Sequence, residues 1–176
     1  MIKIGTLKHN GTLVVVDPRD SIHESKFCGK HLNMPVGEYD IHLQQRRCDL
    51  VSGIMLIKRG VNVTDITSAK HPNNSYWCVV ENGCVMLSDK TYHDETHNEF
   101  GADVTWFGNE VIRHTHKVFN ITNDRCVITS AGHGYGEYPI YELYVGDVLV
   151  GCCVKFVGFG DDLFAPLKTN LEYILR

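Results

Sequence analysis

The sequence contains no apolar run long enough to cross a membrane and no excess of positive charge. A membrane-spanning helix needs about 20 consecutive apolar residues, and no such stretch occurs among the 176 residues. Lys and Arg number 17 against 21 Asp and Glu, which gives a formal net charge of -4. Domains that bind extended nucleic acid are usually basic. We therefore expect neither a membrane protein nor a protein that binds extended nucleic acid.

Paired cysteine motifs are also missing. The seven cysteines are odd in number and none has C-x-x-C spacing,. The first residues lack the apolar stretch and the small-residue cleavage site of a signal peptide. Disulfides are rare in reducing compartments. We therefore predict a cytoplasmic protein in which all the cysteines are free thiols: Cys28, Cys48, Cys78, Cys84, Cys126, Cys152 and Cys153.

The length and composition are those of one ordinary domain. Hydrophobic residues make up 43% of the chain and charged residues 22%, which is close to the average for globular proteins. We identify no internal repeat, no low-complexity segment and no long linker. The sequence therefore predicts a single β-rich domain over residues 1–176, whose oligomeric state stays open.

Short strands separated by turn signals account for most of the pattern. Residues 11–17 are rich in β-branched side chains,. Residues 38–44 alternate, so that Tyr39, Ile41 and Leu43 face one side of a half-buried strand,. Residues 50–58 then follow as an antiparallel partner.

Two hairpins, a strand over residues 125–129 and one or two helices complete the prediction. The Asn-Gly pair in Glu81-Asn82-Gly83 predicts a hairpin between residues 76–80 and 84–87,. Gly146-Asp147 predicts another between residues 138–144 and 148–157,.

A helix is predicted over residues 88–100, with Ser88 as its N-cap, and a second within residues 103–119 has weaker periodicity. Residues 18–37 read as polar and irregular. The chain is therefore expected to be mainly β, a β-sandwich or a partly open antiparallel barrel with one or two short helices.

Four segments resemble an uncharacterised family of small bacterial and phage proteins, catalogued as a domain of unknown function. They are a strand ending in Asp17-Pro18, the run Pro35-Val36-Gly37-Glu38-Tyr39-Asp40-Ile41, a central hairpin over residues 80–89, and a Gly-rich turn that leads into Tyr138-Pro139-Ile140-Tyr141. The resemblance implies a β-rich fold and no activity. The chain differs from the family pattern at His133, where an aromatic residue is usual, and at Tyr135, where an acidic residue is usual.

The segment Gly132-His133-Gly134-Tyr135-Gly136 is the most unusual in the chain. Glycine at every second position lets backbone N–H groups turn toward an anion and lets a ligand approach closely. The predicted flanks are strands, which excludes a P-loop or a dinucleotide fingerprint because both need a following helix. The alternative is a tight hairpin connection that needs positive φ angles.

Two basic pairs close the ends of strands that are expected to be neighbours. Arg46-Arg47 follows one strand and Lys58-Arg59 ends the next. Four cations at one edge would hold a phosphate. The alternative is that these charges protect a sheet edge from aggregation.

Histidines are numerous, with ten in the chain. His93 and His97 would share one face of a helix, and His114 and His116 would share one face of a strand. Together they are weak candidate ligands for a metal ion. The order of residues 93–97 differs from the H-E-x-x-H motif,, and the alternative is that these histidines are solvated and bind nothing.

These observations favour a non-enzymatic binding protein without a cofactor. It would hold a small anionic ligand, such as a signalling nucleotide, or another protein against the Gly-rich segment and the basic strand ends. The family resemblance suggests, by analogy, sequestration of a host signalling nucleotide in phage counter-defence. Two alternatives stay open, a metal-dependent hydrolase that uses the histidines and an immunity-type protein that blocks a protein partner.

Overall fold

Strands dominate the part of the chain that the structure describes. The structure is a computed structural model, and it describes residues 1–18, 30–45, 51–71, 77–80, 83–100, 119–132 and 134–156. In chain order the elements are β1 (Ile2–His9), β2 (Thr12–Val16), β3 (Lys30–Asn33), β4 (Gly37–Gln45), β5 (Val51–Lys58), a 3-10 turn (Val63–Asp65), β6 (Ser68–Lys70), β7 (Trp77–Val80), β8 (Cys84–Asp89), α1 (Lys90–Phe100), β9 (Phe119–Asn123), β10 (Cys126–Ser130), β11 (Gly136–Val145) and β12 (Val148–Lys155).

The strands form two antiparallel sheets. Sheet A has the order β1-β4-β5-β12-β11-β6, with β7 also paired to β11, and sheet B has the order β3-β2-β8-β10-β9. One large apolar cluster takes buried residues from both sheets. Two sheets that share a core are a β-sandwich, and the strands in the described ranges do not close into a barrel. The predicted fold class is thus confirmed in its sandwich form.

The clearest local patterns are confirmed. Tyr39, Ile41 and Leu43 are all buried on the inner face of β4. β4 and β5 pair as an antiparallel hairpin, and β11 and β12 turn back on each other at Gly146-Asp147. In β4 the alternating pattern marked the face that is removed from water,.

Buried apolar clusters also lie on the outer faces of the sheets. The outer cluster of sheet A includes Met55 and Cys153 and packs against the segment that carries the 3-10 turn. The outer cluster of sheet B includes Cys126, with Cys84 and Tyr92 of α1 packed against it. The five cysteines in the described ranges are free thiols, as predicted: Cys78, Cys84, Cys126, Cys152 and Cys153. Cys28 and Cys48 lie outside the described residues.

The predicted hairpin at residues 81–83 is wrong. β7 pairs with β11 in sheet A, whereas β8 pairs with β2 and β10 in sheet B. The Asn-Gly signal therefore marks a crossover from one sheet to the other. Local turn chemistry permits both arrangements, and the long-range pairing of β8 with β2 and β10 selects the crossover.

Two further details of the prediction are wrong. Ser88 is not the N-cap of α1, because the Asp89 carboxylate accepts the N–H groups of Thr91 (3.1 Å) and Tyr92 (3.2 Å). Residues 18–37 are not wholly irregular, since β3 lies within them, and β1, β6 and β9 were not predicted. These strands are short or lack clean alternation. The weaker helix predicted within residues 103–119 falls almost wholly outside the described residues.

The chain also contains an internal repeat that the sequence did not reveal. The first half consists of β1, β2, β3, β4 and β5, and the second of β7, β8, β10, β11 and β12. In chain order, β1 to β5 correspond to β7, β8, β10, β11 and β12. In sheet A, β1-β4-β5 of the first half is followed by β12-β11-β7 of the second, which is the same order reversed. In sheet B, β3-β2 is likewise followed by β8-β10. An approximate twofold rotation exchanges the two halves. Where the halves adjoin, equivalent residues therefore pair with each other: Met55 lies opposite Cys153, and Val15 lies opposite Leu87.

The strand registers agree in detail. β4 pairs with β5, and β11 with β12, at equivalent positions, and both ladders have a register shift at the same place, between Gln44 and Gln45 and between Leu143 and Tyr144. A shared irregularity is stronger support for a repeat than shared strands, because bulges are specific features of a fold.

The sequence of the repeat survives mainly at turns. Gly37-Glu38-Tyr39-Asp40-Ile41 corresponds to Gly136-Glu137-Tyr138-Pro139-Ile140. Asn10-Gly11, with Asp17 six residues after the glycine, corresponds to Asn82-Gly83 with Asp89. The statement that the chain has no internal repeat is therefore corrected.

Each half brings two crossovers together at one end of the sandwich. We call Gly11 with residues 34–39 the Tyr39 corner, and Gly83 with residues 131–138 the Tyr138 corner. In the first, Met34 N–H donates to Gly11 O at 3.2 Å, and in the second Ala131 N–H donates to Gly83 O at 2.9 Å.

Candidate functional site

The Gly-rich segment forms the loop of the Tyr138 corner. It joins β10 of sheet B to β11 of sheet A, so it is a crossover and not the connection of a hairpin. The positions of Gly83 and Gly134 bring the two crossovers close together, and a Cβ added to either glycine would lie 3.7–3.9 Å from the Cα of the other. The loop therefore lies against a second backbone segment.

The Tyr138 hydroxyl holds the loop from inside. Its oxygen is 3.1 Å from Ala131 O, 3.1 Å from Gly134 O and 3.4 Å from Tyr135 O. Tyr39 makes the matching bond in the other corner, where its hydroxyl donates to Pro35 O at 2.5 Å. A tyrosine whose hydroxyl binds backbone a few residues upstream also fixes corners in other β-sandwiches.

Burial keeps both hydroxyls protonated. It raises the pKa of Tyr39 to about 12 and, with Cys78 nearby, also raises the pKa of Tyr138. Each hydroxyl is therefore a hydrogen-bond donor to backbone carbonyl oxygens, and both corners are locked at ordinary pH.

The N–H groups of Ala131 and Gly134 point into the protein rather than toward solvent. Gly134 N–H donates to Ala131 O at 2.7 Å, and Ala131 N–H donates to Gly83 O. A backbone anion site needs N–H groups that point at the ligand. The amides of Ala131 and Gly134 are thus already used within the protein, and three carbonyl oxygens converge on Tyr138. His133, a predicted site residue, lies outside the described residues.

The glycines are explained by backbone conformation. Gly132, Gly134 and Gly136 have φ angles of 50°, 99° and 153°, and Gly37, which corresponds to Gly136, also has φ of 153°. Residues with a Cβ rarely adopt positive φ. The positive φ angles of the alternative interpretation are therefore present, but its hairpin is wrong because the connection crosses between sheets. The side chains between the glycines are left to be explained.

Tyr135 is the most exposed large hydrophobic side chain in the described ranges, at 78%. Its backbone is nevertheless held, because its carbonyl oxygen lies 3.4 Å from the Tyr138 hydroxyl. Val36, at the equivalent position of the Tyr39 corner, is also exposed, at 64%. Each corner thus presents one apolar side chain on a held backbone.

Of the two predicted basic pairs the structure describes Lys58-Arg59, at one end of the β4–β5 ladder. Lys58 lies opposite Tyr39, whereas Gln45, which precedes Arg46 in the sequence, lies opposite Val51 at the far end of the ladder. Six residues of strand separate these ends by about 20 Å.

Lys58 and Arg59 are also far from the Gly-rich loop. The ring centroids of Phe156 and Tyr138 are 5.3 Å apart, and the Phe156 N–H donates to Ser52 O. The Tyr138 corner therefore lies near the start of β5, whereas Lys58 lies at its end. Arg59 forms an ion pair with Glu38. One small anion cannot contact both Lys58 and the loop. Arg46 and Arg47 lie outside the described residues.

The candidate histidine ligands are not assembled by the part of the chain that the structure covers. His93 is 8% exposed on α1, with its Nδ1 3.7 Å from an Asp94 oxygen. The side chains of His97, His114 and His116 lie outside the described residues. No group of three or more His, Cys, Asp or Glu side chains that could hold a metal ion occurs within the described ranges.

A buried polar cluster beside the Tyr39 corner was missed by sequence reasoning. Asp89, 1% exposed, accepts the Asn10 N–H at 2.9 Å and the Arg125 guanidinium at 3.0 Å, besides the amides of α1. Burial alone would raise the pKa of this carboxyl, but these hydrogen bonds outweigh it and lower the pKa. His9 lies next to Asp89 and is equally buried. Only the recurrence of Asp after Asn-Gly could have indicated the site.

The chain was compared with protein-family models, with curated proteins and with solved structures, and none of the three comparisons found a significant match. In the described ranges no helix has the length and apolar character needed to span a bilayer.

Replacing Tyr138 with phenylalanine tests the lock on the Gly-rich loop. The change removes one buried hydroxyl and leaves carbonyl oxygens without its proton, so we expect a loss of about 1–3 kcal/mol in the free energy of unfolding. Urea denaturation measures it. Tyr39→Phe is the matched control and should lose a similar amount. A Tyr138→Phe protein as stable as the wild type would show that the hydroxyl does not hold the loop.

Proposed function

We propose that this chain is a non-enzymatic binding protein whose contact surface is the Tyr138 corner, with Tyr135 at its centre. The observation that carries the proposal is an aromatic ring that is 78% exposed on a backbone held from inside. Tyrosine is enriched in binding surfaces because it offers a large apolar face and a hydroxyl. A fixed backbone lowers the entropy lost when the ring is immobilised by a partner.

The two corners provide an internal comparison that supports the proposal. The Tyr39 corner passes from Met34 to Tyr39 in two residues fewer than the Tyr138 corner needs from Ala131 to Tyr138. Both corners make equivalent hydrogen bonds to the opposite crossover and to a tyrosine. The crossing itself therefore does not require the longer loop. Additional length that the fold does not need is typical of loops that carry function.

The geometry favours a protein partner over a small anion. The amides of Ala131 and Gly134 are used internally, and the loop directs carbonyl oxygens toward Tyr138. Carbonyl oxygens do not attract anions, whereas an exposed tyrosine ring suits the apolar centre of a protein interface. An immunity-type protein that blocks its partner would use such a surface. Sequestration of a signalling nucleotide is kept as an outcome of the test, and a histidine-based hydrolase has no support among the described residues.

The test is photo-crosslinking in the cells that make the protein. Benzoylphenylalanine is placed at position 135 in one variant and at position 148 in the control. Val148 is also exposed, at 64%, but lies in the β11–β12 turn at the other end of β11. We expect a discrete protein adduct from position 135 and none from position 148. Tyr135→Ala should abolish binding of the captured partner while changing stability by no more than about 0.5 kcal/mol.

A second variant separates the loop from the fold. Residues 131–136 are replaced by Met-Pro-Val-Gly, the sequence of the equivalent segment 34–37. We expect this protein to fold and to lose the partner. Native mass spectrometry of the purified protein covers the alternative, since a bound nucleotide that disappears in Tyr135→Ala would assign a small ligand to the same site. Adducts from both positions or from neither, with no bound ligand, would place the contact surface elsewhere.

A further inference from the structure

A histidine that the fold does not require is buried at the Tyr39 corner. His9 ends β1, and its side chain is 0% exposed. Its Nε2 lies 3.2 Å from Met34 O. A carbonyl oxygen can only accept, so Nε2 carries the proton and Nδ1 of the neutral ring has none. His9 thus ties the β1–β2 crossover to the β3–β4 crossover.

The other ring nitrogen has no hydrogen bond. His9 Nδ1 is buried without a hydrogen-bond partner in the described structure, and it lies 3.9 Å from the nearer Asp89 oxygen. That distance is too long for a hydrogen bond. The Asp89 carboxylate is held in place by Asn10, Arg125 and the first amides of α1. A buried nitrogen that faces a fixed carboxylate is arranged to respond to a proton.

The internal repeat shows that the position does not need a histidine. His9 pairs with Gly37 as Val80 pairs with Gly136, and Val80 is 1% exposed. The second half therefore builds the same corner with an apolar side chain. A titratable ring where valine suffices calls for a role other than packing.

We propose that His9 is an acid-sensitive latch that loosens the Tyr39 corner when its Nδ1 gains a proton. Protonation puts a second N–H and a full positive charge into a site that excludes water. The ring must then move about 1 Å toward Asp89 to form a hydrogen bond, which pulls on its bond to Met34 O, or the corner must open to hydrate the charge. Both responses weaken the tie between the two crossovers.

The charges around the ring set the direction of the response. Burial lowers the pKa of His9, while the bond to Met34 O and the charge of Asp89 oppose this shift. Tyr39 of β4 packs edge-on at 5.8 Å and is neutral, and Arg125 is bonded to the same Asp89 carboxylate. Because the folded-state pKa lies below the unfolded value of 6.5, the stabilisation is complete above pH 6.5 and is lost as the pH falls below it.

The experiment compares two equivalent amides in the intact protein. The amide of Met34 donates to Gly11 O, and that of Ala131 donates to Gly83 O. Native-state hydrogen exchange is measured by NMR from pH 7.5 to 5 and corrected for the intrinsic pH dependence of exchange. One linked proton changes an opening equilibrium by up to tenfold per pH unit. Below pH 6.5 we expect the protection factor of the Met34 amide to fall, relative to that of the Ala131 amide, by up to about tenfold for each pH unit.

Two variants identify the group that titrates. His9→Val, which copies the second half, should remove the difference between the two amides across the pH range. His9→Gln keeps a donor for Met34 O and should do the same if His9→Val folds poorly. His31→Gln, at an exposed histidine of β3, should behave as the wild type. Loss of Met34 protection that persists in both His9 variants, or equal loss at Ala131 in the wild type, would overturn the proposal.

Discussion

Gly151→Ala is expected to destabilise the protein by about 3 kcal/mol or more, the upper range for overpacking a buried site. Gly151 lies in β12, between Ile57 of β5 and Leu143 of β11. A Cβ at this position would lie 2.1 Å from the Leu56 carbonyl oxygen and 3.2 Å from its carbon. The obstacle is backbone in the centre of a sheet, so no side-chain rotation can relieve the overlap. β5 and β12 would have to separate along the line where the two halves meet.

Urea denaturation of Gly151→Ala and Gly146→Ala measures this effect against a matched control. Gly146 lies in the β11–β12 turn with a φ of 58° and nothing within 4 Å of an added Cβ. Its substitution should cost only the left-handed backbone strain, about 1–2 kcal/mol. If Gly151→Ala costs no more than Gly146→Ala, the close approach of β5 and β12 at this point is incorrect.

Asp89→Ala is expected to cost about 3–5 kcal/mol, because each buried amide that loses its acceptor costs about 1–3 kcal/mol. The carboxylate is 1% exposed and accepts hydrogen bonds from four groups: Asn10 N, Thr91 N, Tyr92 N and the Arg125 guanidinium. The substitution leaves three amides without their acceptor, whereas Arg125 keeps its ion pair with Glu95 at 3.0 Å. It therefore removes the N-cap of α1 and the tie to the β1–β2 crossover together.

The control is Asp124→Ala, which removes an exposed carboxylate paired with Lys8. Exposed ion pairs contribute little to stability, so this variant should remain close to the wild type in thermal and urea unfolding. The pH dependence gives an independent check. Because the folded-state pKa of Asp89 is lowered from 3.8, its contribution is present above pH 3.8 and is lost as the pH falls below that value.

Measured in the His9→Val background, where His9 cannot titrate, the stability difference caused by Asp89→Ala should accordingly be constant between pH 8 and 5 and narrow in acid. A difference that grows on acidification would mean that Asp89 is protonated in the folded protein, and it would remove the charge that the His9 latch requires. A difference below about 1 kcal/mol at pH 7 would show that the cluster is solvated.

The candidate site was predictable only in part. The unusual composition of residues 132–136 drew attention to Tyr135, and the structure places that side chain in solvent. The expected grouping of the loop with Lys58 and Arg59 is wrong, because antiparallel pairing puts the two ends of β5 at opposite ends of the sandwich. The sequence predicted that these strands are neighbours. Which strand ends lie at the same end of the sandwich depends on the register and direction of every ladder between them.

The buried cluster of His9, Asp89 and Arg125 could not be predicted from the sequence either. His9 is separated from Asp89 by 80 positions and from Arg125 by more. Apart from the recurrence of Asp after Asn-Gly, their sequences do not indicate a common site. Val80 occupies in the second half the place that His9 occupies in the first. A pattern of polar and apolar residues treats these two positions as different, although the fold treats them as equivalent.

The sequence by itself determined the fold class and the strands with regular alternation, because side chains of a half-buried strand must alternate between core and solvent. It also determined the turn at Gly146-Asp147, where neighbouring strands pair locally. Only the tertiary structure decided that Asn82-Gly83 leads into a crossover, and that the chain is a twofold repeat. Backbone conformation preserves glycine, tyrosine and aspartate at the corners, whereas packing accepts any apolar residue of suitable volume inside. The repeat is therefore recorded in strand pairing and hydrogen bonds more fully than in the amino acids.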